Sequence, residues 1–537
     1  MNNPIAIPKT RTWLLFACVS AWLITVAAVL AADRSQPALV VQSDEPAILL
    51  GIDDHLLPLK RNLCLYLSKP KVRKEPVLTP SRDNPKAPDF IGTHFYGTVL
   101  HDEGKFRMWY YGLHFGSDPS DLHPGPVCYA ESSDGIQWIK PNLGQVDIKG
   151  SRDNNAIQLP DDMTWFPGVI KEEDDPDPQR RYKMVYDTQA QSMAFRTATS
   201  PDGIHWTASP HYAIDSFIEM SSFYRHNGLY IVNGQYFAKS EGGHASGRQG
   251  GAVISPNFDN WIPAYIDAFR IREPVDPAQR GTMKPYDQVH LGVGGTSLGN
   301  VVVGLFGLWH NAPGDTGRSI PNSWFGFNQI SCDLSLVISN DGLHFREPVK
   351  GHVYISRHDS LVTPLPGKDI PTILIQSGNG ILNVGDETWI YHGRWRNAKY
   401  GLDYWAEVAL ATLPRDRWGA IGLFPDSAEG TLWSAPVTLP DGYTKVSLNV
   451  DGARGIRVDI ADSQFNLLAE YSGNNAGAVS AASGLDCPVT WNKGDLLDLS
   501  GRTVRLRFQF QRQDDVDPRL FCVTFKPVSK AQRFKVK

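Results

Sequence analysis

Ser133-Asp134-Gly135-Ile136-Gln137-Trp138 closes a short apolar strand, and the same phrase returns along the chain. Its copies are Pro201-Asp202-Gly203-Ile204-His205-Trp206, Asn257-Phe258-Asp259-Asn260-Trp261 and Asn340-Asp341-Gly342-Leu343-His344-Phe345. The most degraded copy is Pro414-Arg415-Asp416-Arg417-Trp418. Asp-Gly is a tight-turn dipeptide, because Gly accepts positive φ and Asp caps nearby backbone amides. The aromatic that follows can fold back over the turn. These aromatics set a period of about 70 residues, and self-similarity at a fixed period marks a repeat architecture.

Each copy follows a strand such as Val127-Cys128-Tyr129-Ala130 or Ala406-Glu407-Val408-Ala409-Leu410-Ala411. Before that comes a second strand rich in aromatic or β-branched residues. Examples are Phe106-Arg107-Met108-Trp109-Tyr110, Tyr182-Lys183-Met184-Val185-Tyr186 and Glu387-Thr388-Trp389-Ile390-Tyr391. An earlier run, Phe95-Tyr96-Gly97-Thr98-Val99-Leu100, precedes the first of them. Each unit is therefore a sheet of three or four antiparallel strands. One such sheet cannot bury both faces, whereas five packed radially can, and the closed ring protects their edges. Helical periodicity is hard to find between 90 and 424, so the chain reads as all-β. The expected fold is a five-bladed β-propeller over 89–424, with a pair of stacked sandwiches as the alternative.

The repeat stops near Phe424-Pro425-Asp426. Shorter strands with Gly- and Asp-rich turns follow, among them Gly455-Ile456-Arg457-Val458-Asp459-Ile460 and Leu520-Phe521-Cys522-Val523-Thr524-Phe525. They predict a C-terminal β-sandwich over 425–530. Trp433 and Trp491 could serve there as a sugar platform or pack in the sandwich. Residues 33–88 read as an extension that joins the propeller.

The first 32 residues read as a secretory signal. Lys9 and Arg11 precede an uncharged apolar run from Trp13 to Leu30, and Val29 and Ala31 are small residues suited to cleavage. The mature protein would then be secreted or periplasmic, with no membrane association after cleavage; an uncleaved anchor is the alternative. Five cysteines follow Cys18, with no CxxC and no Cys/His spacing for zinc, so no metal site or cofactor is expected. Cys487 with Cys522 is the one pairing offered, against buried free thiols. A net charge of −5 over 537 residues provides no basic field for nucleic acid. The 15 Trp and 19 Tyr supply platforms for sugar rings as well as core.

In a propeller the innermost strands converge on an axis and make a pocket there. Counting 11–13 residues back from an anchor in each second strand reaches the candidates. These are His94 with Asp89 upstream, Glu219 with Asp215 upstream, His290 with Asp287 upstream, and Gln376. The second repeat offers no acid at the matching place, only Asp162 and Trp165 nearby. Glu219 lies in Ile218-Glu219-Met220, an apolar setting that raises a carboxyl pKa and suits a general acid. Asp89 and Asp287 compete as base or nucleophile. His94, His290, Gln376 and Trp165 are the candidate substrate-binding residues, and the histidines could also move protons or bind a cation.

The recurring Ser-Xaa-Asp-Gly-Ile-Xaa-Trp turns resemble those of five-bladed propeller glycoside hydrolases, the family 43, 32 and 68 group. A propeller followed by a sandwich is similar to the family 32 layout, and Ile218-Glu219-Met220 resembles the position of the family 43 acid. With the axial acids, the aromatic content and the N-terminal signal, the expectation is an exported glycosidase that cleaves a poly- or oligosaccharide with axial carboxylates. A non-catalytic carbohydrate-binding propeller is the second expectation, and a lyase or transferase on the same scaffold the third.

Overall fold

The computed structural model describes residues 38–42, 46–115, 122–189, 193–214, 218–239, 245–269, 289–310, 331–396, 403–442, 444–513 and 516–528. The segment read as an export signal lies outside them, as do Asp215 and Asp287. The protein is all-β: among the described residues there are strands and one-turn 3-10 segments and no α-helix.

Five groups of antiparallel strands, called sheets below, follow one another, the fourth and fifth joined by a single parallel pairing of Cys332 with Ile373. The first holds Gly92–Asp102, Lys105–Phe115 and Leu122–Ser132. The second holds Thr164–Lys171, Tyr182–Gln189, Met193–Ser200 and Thr207–Ala208. The third runs from Glu219–His226 through Leu229–Lys239 and Ala245–Ser255 to Ile266–Phe269. The fourth is built of Val289–Ser297, Val302–His310, Ser331–Ser339 and Val353–Ile355. In the fifth, Ile373–Ile375 and Ile381–Val384 together pair Glu387–Arg396, which pairs Trp405–Pro414. The N-terminal strand Lys71–Val72 adds to its outer edge.

Hydrogen bonds close these sheets into a circle. Thr98 Oγ1 donates to Pro167 O at 3.2 Å and accepts from Val169 N at 2.7 Å, joining the first sheet to the second. Met220 N donates to Asp187 Oδ2 at 3.3 Å, joining the second to the third. Ser221 and Ser222 both donate to Val293 O, at 2.8 and 3.0 Å, joining the third to the fourth. Gln376 Nε2 donates to Gly292 O at 2.9 Å, and Ser377 Oγ to Gly97 O at 2.5 Å, so the fifth sheet meets both the fourth and the first.

The repeated turn explains why neighbours pack. Ser132 Oγ accepts Gly135 N at 2.9 Å, and Asp134 Oδ1 accepts Ile136 N and Gln137 N, each at 2.8 Å. Trp138 Nε1 donates back to Gly135 O at 3.0 Å. That carbonyl also receives Tyr391 Oη from the fifth sheet at 2.7 Å. In the same way Gly203 O receives Trp109 Nε1 at 2.8 Å, and Gly342 O receives Tyr224 Oη at 2.7 Å. The turn is thus a clasp for the preceding sheet. Gly135 has φ 71°, and a Cβ there would lie 2.6 Å from Trp389 Cζ3, so both backbone and packing require Gly.

The C-terminal strands form two sheets that face each other across one apolar core, including Leu432, Leu448, Val458, Phe508, Phe510, Val523 and Phe525. The N-terminal strands Leu39–Val40, Ala47–Leu50, Leu59–Arg61 and Leu63–Leu67 pair into these sheets, as does Gly419–Leu423. This corrects the expected division. Most of the 33–88 extension pairs with the tail rather than the ring, because Leu39, Ala47 and Arg61 meet Val437, Phe525 and Thr431, which are 398, 478 and 370 residues away in sequence. One of the two sheets packs on the ring: Ile48, Leu50 and Cys522 share an apolar cluster with Val301, Leu336 and Leu413. Asn300 fixes the contact by exchanging two hydrogen bonds with Ile48 backbone, at 2.8 and 2.9 Å. Cys64, Cys128, Cys332, Cys487 and Cys522 are all free thiols. Cys487 and Cys522 sit on opposite sides of Thr444–Asp451, which accounts for the pairing not being made.

Candidate functional site

Every inner strand of the ring is broken at one equivalent place. The ladder slips between His94 and Thr98, between Trp165 and Gly168, between Met220 and Ser222, and between His290 and Val293. In the fifth sheet the break is the stretch 376–380. Bulges re-aim side chains and recur beside active sites. Just before the break lie His94 opposite Tyr111, Trp165 opposite Asp187, Glu219 opposite Gln235, and His290 opposite Gly307. Four of the residues singled out from sequence therefore share one level of the ring, at the end where the inner strands begin. We call this the entry end, and the opposite one the turn end.

Sequence reasoning missed Asp187. It stands on the second strand of its sheet, whereas the count inspected only first strands; the signal was an Asp closing the apolar run Met184-Val185-Tyr186. Asp187 is fully buried. Burial pushes its carboxyl pKa well up; the Met220 amide opposes this and the nearby charge of Glu219 adds to it. Among the described residues its Oδ1 and the Nε1 of Trp165 are buried with no hydrogen bond of good geometry, and the Trp165 N–H near the carboxyl also acts to lower its pKa. Glu219 is half-buried, and Gln235 Nε2 donates to its Oε2. Gln235 in turn accepts Leu291 N at 2.9 Å, which ties the Glu219 setting to the fourth sheet. Ile218 and Met220 are buried, so the apolar flanks read from sequence are present, and the acid that they help to enclose is Asp187.

His94 is buried among aromatic rings. Tyr111 stacks on it at 4.7 Å and Tyr404 at 5.5 Å, while Trp395 meets it edge-on at 5.7 Å. Its Nδ1 is 3.1 Å from Tyr111 Oη, and its Nε2 bonds Tyr404 Oη. Burial pushes its pKa down to about 3, so the ring is neutral at physiological pH, with one nitrogen donating and the other accepting. With both ring nitrogens engaged by tyrosine hydroxyls, the imidazole suits orienting the two tyrosines and has no lone pair free for a cation. Among the described residues no group of His, Cys, Asp and Glu could hold a metal ion. Trp165 and Phe166 belong to the same apolar cluster as Tyr96, Tyr111, Trp395 and Tyr404. The entry end thus sets an acid pair against an aromatic wall.

The other candidates lie elsewhere. Asp89 is fully buried, and its Oδ2 accepts from Thr93 Oγ1 at 3.2 Å, Tyr110 Oη at 3.0 Å and Lys140 Nζ at 2.5 Å. An acid so enclosed and neutralised is an anchor, which corrects its reading as base or nucleophile. Gln376 is fully buried in the break of the fifth sheet, where it staples the ring. Asp162 is exposed. For His290 only the backbone position is described.

The axis is plugged below this level. Asn379 Nδ2 donates to Phe223 O at 2.7 Å and Val169 O at 3.3 Å, and its Oδ1 accepts Phe223 N at 2.7 Å. The enclosed space beside it is about 10 Å³. A wider cleft of about 580 Å³ opens at the turn end, lined by His101, Lys171, Glu172, Arg225 and Asn383 among others. Its charges are paired: Lys171 with Asp102 and Glu173, each at 2.6 Å, and Glu172 with Lys183 at 2.7 Å and Arg225 at 3.0 Å.

No family model matches the chain. Among curated proteins, an uncharacterized protein of Mycobacterium tuberculosis, found in strains CDC 1551 and H37Rv, is 30% identical over 112 residues. The match covers 21% of this chain, which spans about a third (32%) of the length of that relative. Among solved structures, a glycosyl hydrolase from Bacteroides ovatus is 15% identical with a TM-score of 0.42, covering 66% of this chain and 95% of that one. A family 43 arabinoxylan arabinofuranohydrolase from Bacillus subtilis, solved with cellotetraose, is 11% identical with a TM-score of 0.36, covering 81% and 96%.

Proposed function

We propose that the ring is a five-bladed β-propeller, that the two-sheet body is a β-sandwich, and that the chain is an exported glycoside hydrolase-like protein. Its substrate would be a poly- or oligosaccharide entering the propeller at the entry end. The observation that carries this reading is the juxtaposition of Glu219 and the buried Asp187 beside an aromatic wall. Glycosidases need a carboxyl group that can hold a proton for the leaving oxygen, and a second carboxylate as nucleophile or base. Glu219, half-buried and held by Gln235, is the group placed to reach substrate and act as acid. Burial pushes the Asp187 pKa well up, which favours its protonated form beside Glu219. Asp287, three residues before His290 in the sequence and outside the described residues, is the candidate for the second catalytic carboxylate. Trp165 and His290 would contact sugar, the Trp by stacking. His94 would hold Tyr111 and Tyr404 in place behind the aromatic wall.

The second reading is a carbohydrate-binding protein without turnover. The sealing of Asp89 and the full burial of Asp187 favour it, since both acids are closed to solvent. A glycan panel separates the two. Release of new reducing ends by the wild type, lost in Glu219→Gln, supports hydrolysis. Binding with no product from the wild type supports the second reading.

A further inference from the structure

The sheet that faces away from the ring carries a different chemistry. Its strands Leu59–Arg61, Glu429–Trp433, Thr503–Gln511 and Ile456–Asp462 lie side by side. Leu432, Phe508, Phe510 and Val458 point inward to the core. Alternation therefore turns the intervening residues outward. One outward row, read across the four strands, is Arg61, Thr431, Gln509 and Arg457. This row and Arg454 line a groove of about 330 Å³ in which Glu429 is the one acid among the described residues.

The arginines of this groove differ from their neighbours. Arg507 pairs Asp459 at 2.8 Å, Arg512 pairs Asp517 at 2.9 Å, and Arg417 pairs Asp451 at 2.8 Å. Arg61, Arg454 and Arg457 are exposed and have no side-chain hydrogen bond or ion pair among the described residues. The floor between them is held in place, since Gln509 Nε2 donates to Asp459 Oδ2 at 2.6 Å. In the next outward row Arg507 lies 5.5 Å from the Trp433 ring, and Phe465 meets that ring at 5.2 Å. The groove thus offers unpaired guanidinium groups, fixed amide and hydroxyl groups, and an aromatic flank.

We propose that this groove binds an anionic saccharide, a chain bearing carboxylate or sulfate groups. Guanidinium recognises either anion through paired N–H donors. The amides and Thr431 suit ring hydroxyls. Three arginines on a chain of net charge −5 are too sparse a field for the dense phosphates of nucleic acid. The site is separate from the entry end, so it stands or falls independently of the hydrolase reading.

Affinity electrophoresis of the full-length protein through gels containing polygalacturonate, dextran sulfate or neutral dextran tests it. Retardation by polygalacturonate or dextran sulfate but not by neutral dextran is expected, and which gel retards identifies the anion. The double variant Arg61→Gln/Arg457→Gln should bind at least tenfold more weakly, while Glu219→Gln should be retarded as the wild type is. The proposal is overturned by no retardation in either anionic gel, by equal retardation in neutral dextran, or by wild-type behaviour of the double variant. Equal retardation by double-stranded DNA would overturn the assignment to a saccharide.

Discussion

The two ends of the ring are made from the same five sheets and differ in what their side chains do. At the turn end the repeated phrase supplies the residues, and acids face cations or backbone amides. Lys171 sits between Asp102 and Glu173, and Asp134, Asp202 and Asp341 each cap two amides of their own turn. At the entry end the residue type changes from sheet to sheet, with only His recurring: the equivalent positions hold His94, Trp165, Glu219 and His290, and two acids lie together. The repeats build the ring, and departures from the repeat at one level make the site. Strain and unpaired polar groups gather where a fold departs from its own rules for the sake of function.

An acid that serves the scaffold should behave differently from one that serves the entry end. Lys140→Met leaves Asp89 charged and buried with no cation, and breaking such a pair costs about 3–5 kcal/mol. Chemical denaturation should register that loss; a change below about 1 kcal/mol would put Asp89 back among the catalytic candidates.

The clasp makes the next contrast. Gly135→Ala forces a Cβ against Trp389 and Tyr391 at φ 71°, so overpacking adds to backbone strain and the loss should be about 2–4 kcal/mol. Gly228 has φ 78° with open space around it, so Gly228→Ala should lose only about 1 kcal/mol. Equal melting temperatures for the two variants would refute the clasp.

The acids of the two ends should also answer pH with opposite signs. Asp187 has a folded pKa above its unfolded value of 3.8, so above that pH the folded state keeps a proton that the unfolded chain has lost. Its contribution to stability therefore falls as pH rises from 3.8 toward the raised value. At Asp202 burial acts to raise the pKa, but hydrogen bonds from His205, the turn amides and Ser200 prevail and hold it down to about 2. Its contribution is present above pH 3.8 and is lost as pH falls toward 2. Denaturation at a series of pH values should show Asp187→Asn gaining on the wild type as pH rises, and Asp202→Asn gaining as pH falls. Parallel curves would show that Asp187 is not enclosed as described.

The repeated turn was legible because it is local: Ser, Asp, Gly and Trp bond within one short stretch. The level shared by His94, Trp165, Glu219 and His290 was legible because strand counting survives a common bulge. What was not legible depends on distant partners. Asp89 looked like a catalytic acid because nothing nearby in sequence announces Lys140, 51 residues on. Gln376 occupies a break that turns it to Gly292. The strands from Leu39 to Leu67 were assigned to the ring because pairing with the far end of the chain leaves no trace in a strand pattern. Asp187 escaped because an acid near the axis was sought only on first strands.

The most direct measurement compares turnover of one glycan substrate by the wild type, Glu219→Gln at the entry end and Arg225→Gln at the turn end, with folding checked by circular dichroism. Removing a catalytic acid costs about a hundredfold or more in rate, so Glu219→Gln should fall by at least that factor. Arg225 is largely exposed, and its loss should leave the rate within about twofold, as is usual for an exposed ion pair. A Glu219→Gln protein as fast as the wild type, or a collapse in Arg225→Gln alone, would contradict the placement of the chemistry at the entry end.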